Sequence, residues 1–197
     1  MSSVQNGTVE MDINNCLMTD TGVSGREVML YLGLGSNLGD RRHNLLEAVR
    51  CLDMAFAVNH DALSSFVETE PWGFDSDDIF LNAAVRYRLS VPRGTSMNAF
   101  AHEILRKCKS VEAEMGRTGK PEYDSDGRRI YRSRIIDIDI LLLGDFRIDD
   151  SDLKIPHPLM AERDFVMIPL RGIVSHRTMD SFPDIFFSDC PHGSLKV

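Results

Sequence analysis

The hydrophobic periodicities of this 197-residue chain predict an α+β fold, a ferredoxin-like βαββαβ sandwich with a short additional hairpin and a C-terminal helix. Three observations carry the prediction. Residues 28–34 (VMLYLGL) and 135–143 are apolar runs of strand length. Residues 41–56 and 97–115 repeat apolar side chains at helical spacing. Between the two helices stand two further strand-like stretches, 63–69 and 80–89. In order, this reads β-α-β and again β-α-β, which puts both helices on one face of a mostly antiparallel sheet and leaves the other face open.

Residues 1–26 have no sustained period, are rich in Ser, Asn, Asp, Thr and Gly, and read as a disordered N-terminal extension. Residues 27–175 form the expected domain, and 176–197 read as a poorly specified C-terminal tail. The first strand ends in Gly33-Leu34-Gly35-Ser36-Asn37-Leu38-Gly39-Asp40. Leu38 stands where a dinucleotide fingerprint needs its third glycine, and no Gly-Lys-Ser/Thr follows, so the passage reads as a tight strand-to-helix turn. The first helix is expected to bury Leu45, Leu46, Val49 and Leu52, with Arg41, Arg42, Glu47 and Arg50 outside.

The second strand is broken by Glu70-Pro71-Trp72-Gly73-Phe74 and an acidic loop, where Trp72 and Phe74 read equally as core plugs or as a lid over a flat ligand. The third strand carries Asn82 between Leu81 and Ala83. Thr95 or Ser96 caps the second helix, whose buried stripe is Phe100, Ile104, Leu105, Cys108, Val111 and Met115. After the last strand, Gly144-Asp145 turns the chain into a short pairing of 147–148 with 153–155. Pro156-His157-Pro158 then breaks structure before a helix near 165–173.

A net charge of −8 argues against a general nucleic-acid binder. No apolar run approaches the ~20 residues needed to cross a bilayer, and the N-terminus lacks the basic start and apolar centre of a secretory signal. Cys16, Cys51, Cys108 and Cys190 lack CxxC spacing, which points to reduced structural thiols and no zinc site. The expectation is a cytoplasmic protein acting on small molecules, without nucleic-acid or membrane partners and compatible with a monomer.

The chemistry centres on Arg134-Ile135-Ile136-Asp137-Ile138-Asp139-Ile140-Leu141-Leu142-Leu143. Strand side chains alternate, so Asp137 and Asp139 share a face, flanked by Ile135 and Leu141, with Ile136, Ile138 and Ile140 behind. Two like charges on one face of a buried strand are costly without a compensating cation. Mg²⁺, which takes oxygen ligands from one or two carboxylates plus substrate phosphates, accounts for the pair; the competing reading is an edge strand whose carboxylates face water. Between Arg117 and Arg134, six basic residues (Arg117, Lys120, Arg128, Arg129, Arg132, Arg134) stand against three acidic ones, a local surplus suited to a polyanion.

These stretches together resemble the 6-hydroxymethyl-7,8-dihydropterin pyrophosphokinases of folate synthesis. The resemblance rests on residues 33–40, on Thr69-Glu70-Pro71-Trp72-Gly73, on Phe80-Leu81-Asn82-Ala83-Ala84-Val85 and on Arg134-Ile135-Ile136-Asp137-Ile138-Asp139. It continues through Pro156-His157-Pro158 and Arg163-Asp164-Phe165, about residues 28–174 in all. It implies transfer of the terminal two phosphates of ATP, as one unit, to the pterin hydroxymethyl oxygen, with release of AMP. It further implies two Mg²⁺ ions on Asp137 and Asp139, and Arg117 and Arg134 in catalysis. Nucleotide contacts would come from Glu112, Arg117, Tyr131, Arg134, Ile140, His157 and Arg163. The pterin would lie between Phe80 and Phe165, its edge read by Asn82 and by backbone near Thr69, Pro71 and Trp72. The chain departs from the family pattern at Arg132, where a small residue is usual, at Ile130, where a basic one is common, and at Ile135, where threonine is usual.

Two other readings compete. A polymerase-like palm also carries two metal aspartates on such a sheet, but leaves Phe80, Asn82, Trp72 and the Pro-His-Pro segment without a role. A non-catalytic pterin or nucleotide sensor leaves the carboxylate pair unexplained.

Overall fold

The computed structural model describes residues 25–70, 79–117, 122–123, 129–130 and 134–187. Strand β1 spans Arg26–Ser36, helix α1 Arg41–Phe56, and the short strands β2 and β3 Ala62–Leu63 and Val67–Thr69. Then come β4 (Phe80–Val91), α2 (Met97–Glu114), a two-residue ladder of β5 (Glu122–Tyr123) with β6 (Arg129–Ile130), and β7 (Asp137–Leu143). Strands β8 (Ile148–Asp149) and β9 (Lys154–Ile155) form a hairpin, one residue displaced from its expected start. A 3₁₀ turn and helices α3 (Asp164–Arg171), α4 (His176–Ser181) and α5 (Pro183–Phe186) complete the described chain. The expected second strand is thus two pieces, both paired with β4.

The principal sheet runs β2-β4-β1-β7, with β3 beside β2 along β4, and all its pairings are antiparallel. β1 and β4 pair along their whole length, from Arg26 opposite Val91 to Ser36 opposite Leu81. The carboxylate strand β7 lies beside β1 at the end of the strand order. Its outer edge is covered instead of solvated. The Ile138 N–H donates to the Glu112 carboxylate at 2.8 Å, and the Leu141 carbonyl accepts from His157 N–H at 3.0 Å. Covering an edge in this way removes the pairing hazard of unpaired strand groups.

The helices α1 and α2 pack on one face through Leu45, Ala48, Val49, Leu52, Ala101, Ile104, Cys108 and Val111, against Leu30, Leu32, Val85, Tyr87, Ile138 and Ile140. Asp40 caps α1 and Ser96 caps α2, each side chain accepting a backbone N–H three residues on. Leu46 is 46% exposed, because the inward stripe of α1 runs through Ala48. β7 carries a bulge: Tyr31 pairs with Leu142 and Leu32 with Ile140, so Leu141 is the extra residue. The bulge brings Leu142 onto the same face as Leu141, away from the helices α1 and α2.

That opposite face is only partly open. Tyr31, Ala84, Leu141 and Leu142 meet Met160, Met167, Leu170, Ile173, Phe182 and Phe186 in a second core. Residues 176–187, expected to be poorly specified, therefore form two short helices that are part of the fold. Phe182 is fully buried, and the Tyr31 hydroxyl accepts the Ser175 N–H at 3.2 Å. α3–α5 cover one end of the sheet and leave the end carrying Gly35, Asn82 and Asp137 open.

Candidate active site

The strand-to-helix turn holds the site together from below. Asn37 is buried; its Oδ1 accepts the Arg134 N–H at 2.7 Å, and its own N–H donates to the Arg134 carbonyl at 3.2 Å. Asn44 of α1 donates to Ser36 Oγ and to the Leu38 carbonyl at 3.1 and 2.7 Å. The 33–40 passage is thus a tight turn that latches the chain just before β7, and it fixes where Arg134 enters the site.

Above it lies one cleft with an empty volume of about 740 Å³ including its open mouth. It gathers Thr69, Phe80, Asn82, Arg134, Asp137, Asp139, Arg163 and Phe165 from four separate parts of the chain. Register explains the floor: Gly35 lies opposite both Asn82 on β4 and Asp137 on β7. A Cβ on Gly35 would stand 3.2 Å from Asn82 Oδ1, so the missing side chain leaves the amide its room. Asn82 is 5% exposed, and its amide nitrogen donates to Thr69 Oγ1 at 2.9 Å. Its oxygen lies beside Gly35 at the floor of the cleft. Phe80 and Phe165 are both half-buried, and the Arg163 guanidinium lies 5.7 Å from the Phe165 ring centre.

The electrostatics divide the carboxylate pair. Asp137 Oδ1 accepts from Arg117 and Oδ2 from Arg134, each at 2.5 Å. Burial alone would raise its pKa, but Arg134, then Arg117 and Lys109, outweigh burial and hold the carboxyl below its usual range. Asp139 has no such contact among the described residues. Burial and then the neighbouring Asp137 charge lift it to about 6. The pair is therefore short of positive charge on the Asp139 side.

Among the described residues no three His, Cys, Asp or Glu side chains cluster into a complete metal cage. Two cleft carboxylates, one of them without a directly contacting cation among the described residues, fit a hard cation that shares its remaining ligands with phosphate oxygens and water.

The other expected residues divide by position. Arg117 reaches the site through Asp137. His157 lies near enough to feel Arg163 and Asp137; burial, and then Arg163, depress it to about 4, so it stays neutral near pH 7. Glu112, expected on the nucleotide side, is 2% exposed and turned inward: it accepts from Ile138 N–H, Lys109 and Arg117. Burial raises its pKa against the pull of Lys109 and Arg117. The Ile140 side chain is 5% exposed in the helix-side core, so only its backbone is available to a nucleotide. Pro71, Trp72 and Tyr131 lie outside the described residues. Glu70, Leu141 and Val166 also line the cleft without having been anticipated. For Leu141 the signal was present, two residues beyond Asp139 on the same face; Glu70 and Val166 have no distinguishing pattern.

The cleft brings together a carboxylate pair, arginines and an amide-and-aromatic slot, groups suited to phosphate oxygens and to a flat polar molecule. Comparison with known proteins agrees. Residues 31–175 match the family described as 7,8-dihydro-6-hydroxymethylpterin-pyrophosphokinase (HPPK), and the chain belongs to that family. It is 42% identical over 146 residues to the 2-amino-4-hydroxy-6-hydroxymethyldihydropteridine pyrophosphokinase of Porphyromonas gingivalis, covering 74% of this chain and 90% of that one. It is 38% identical over 143 residues to the Bacillus subtilis enzyme of the same name, covering 73% and 76%.

A folate synthesis bifunctional protein of Pisum sativum is 36% identical over 145 residues, which are 74% of this chain and 25% of that one. A solved HPPK-DHPS complexed with substrates superposes with a TM-score of 0.52 at 15% identity, covering 81% of this chain and 43% of that one, a likeness of fold. This chain thus spans less than half the length of that solved chain. Its activity is that of the family, a diphosphotransferase of folate biosynthesis acting on the hydroxymethyldihydropterin.

Proposed function

We propose that the cleft transfers the terminal pyrophosphoryl group of ATP to 6-hydroxymethyl-7,8-dihydropterin, on what we read as a ferredoxin-like sheet. The observation that carries this is the sharing of one cleft by Asp137, Asp139, Arg134 and Arg163 with Phe80, Asn82 and Phe165. The pterin lies between Phe80 and Phe165, with Asn82 and backbone near Thr69, Pro71 and Trp72 along its polar edge. Its hydroxymethyl oxygen then faces the carboxylate pair. That oxygen bonds to the β-phosphorus, the bond from this phosphorus to the α–β bridging oxygen breaks, AMP leaves with the bridging oxygen, and the hydroxyl proton is released.

Asp137 and Asp139 would hold Mg²⁺, two ions in the full complex, whose charge offsets that of the phosphate oxygens. Arg117 and Arg134 neutralise charge developing around the transferred group, and the forked guanidinium of Arg134 suits two oxygens at once. Arg163 and neutral His157 hold the nucleotide's phosphates. Backbone at Ile140 and the ring of Tyr131 would serve the nucleoside.

The reading includes a single domain, its expected span of 27–175 extended through the helices of 176–187, able to act as a monomer in the cytoplasm, with no nucleic-acid or membrane partner. No described helix is long and apolar enough to cross a membrane. Incubation with MgATP and the reduced pterin tests the reaction: AMP should form mole for mole with the pterin diphosphate. ADP or free pyrophosphate as the nucleotide-derived product would overturn it.

A further inference from the structure

Both oxygens of Asp137 already face a guanidinium, Arg117 on one and Arg134 on the other, each at 2.5 Å. A hard divalent cation binding the same carboxylate at ~2.0–2.1 Å meets the repulsion of those two positive charges. Withdrawal of one arginine relieves that repulsion. Arg134 is poorly placed to withdraw, because Asn37 ties its backbone through both its N–H and its carbonyl. Arg117 follows directly on α2, and the same Nη1 that reaches Asp137 Oδ1 also reaches Glu112 Oε1.

Glu112 is built to receive it. Its side chain is 3% exposed, and the oxygen that faces Arg117 also accepts the Ile138 N–H at 2.8 Å, from the residue between the two aspartates. The other oxygen takes Lys109 at 2.9 Å. A buried carboxylate is tolerated where its partners are fixed, and these partners fix it relative to β7 itself. We propose that Glu112 is a positioning residue: the seat into which Arg117 settles when Asp137 takes up a cation, so that metal entry does not leave a buried guanidinium stranded. The inference rests on the reading of Asp137 as a cation ligand. Without that seat, Arg117 keeps its place on Asp137 and competes with the metal.

The test is Mn²⁺ affinity, read by electron paramagnetic resonance with a non-hydrolysable ATP analogue held constant. Glu112→Gln preserves shape and an acceptor for Ile138 while removing the charge that seats Arg117. It should weaken Mn²⁺ binding about tenfold. In an Arg117→Ala background the same substitution should change Mn²⁺ affinity less than twofold, since no guanidinium remains to be reseated. Pterin binding by calorimetry, staying within twofold in every variant, shows that the fold is intact. Unchanged Mn²⁺ affinity in Glu112→Gln overturns the proposal. An equal loss with and without Arg117 also overturns it, since that marks a purely local structural role. If Asp139→Asn leaves Mn²⁺ affinity untouched, the cation reading fails and the seat falls with it.

Discussion

Replacing Asp139 by asparagine should stabilise the metal-free protein while abolishing its chemistry. The carboxyl is lifted from 3.8 to about 6 by burial and by Asp137. A folded-state value above the unfolded one means that the folded state holds the proton more tightly. The favourable contribution is complete below about pH 4 and is lost as pH rises through 6. Above pH 6 the ionised carboxylate costs the fold up to about 3 kcal/mol, at 1.36 kcal/mol per pKa unit. Relaxation and incoming water reduce that figure, so about 1–3 kcal/mol is expected, or a rise in Tm of roughly 3–10 °C for a chain of this size. Asparagine keeps the shape and removes the charge.

The assay is thermal unfolding of Asp139→Asn and the parent protein in chelator at pH 7.5 and again at pH 4. The variant should be more stable at pH 7.5, and the advantage should disappear at pH 4. Equal or lower stability at pH 7.5 would show that the two carboxylates do not repel, and would remove the physical reason for a cation between them.

Asn82→Ala should raise the pterin KM at least tenfold while the KM for MgATP changes less than threefold, measured in steady state with each substrate varied. Thr69→Val, which removes the hydroxyl that accepts from Asn82, should shift the same KM by about threefold, with Thr69→Ser restoring it; equal effects on both substrates would refute the edge-reader role. His157 is depressed to about 4 against about 6.5 unfolded. The unfolded state therefore takes up the proton first, and stability is lost as pH falls from 6.5 toward 4. Urea unfolding of His157→Gln should show a flatter pH dependence across that window. Gly35→Ala places a methyl against the Asn82 oxygen and should weaken pterin binding about tenfold by calorimetry with little change in Tm.

The carboxylate pair was legible because alternation on a strand is a strong geometric rule, and Asp137 and Asp139 obey it. Asn82 and Phe80 were legible for the same reason, being polar and aromatic interruptions at one end of an apolar strand. The sheet order could not show that β7 lies at an edge, because what covers that edge is Glu112 and the His157 backbone, contacts distant in sequence. The burial of Glu112 was not legible, since only the tertiary approach of β7 brings it about. The facing of Leu142 depended on the bulge at Leu141, which reverses the residues after it and leaves no mark in the alternation before it. Residues 176–187 escaped notice because helices of six and four residues are too short for a period. Their place comes from burying Phe182 and Phe186 against Tyr31 and Leu142.

The most direct test of the cation site is a crystal grown with Mn²⁺, a non-hydrolysable ATP analogue and the pterin, with data collected at the manganese absorption edge. The anomalous peak should stand between the Asp137 and Asp139 carboxylates and the analogue's phosphates, with Arg117 withdrawn from Asp137. Manganese bound elsewhere, or both arginines still seated on Asp137 with the nucleotide in place, would contradict it.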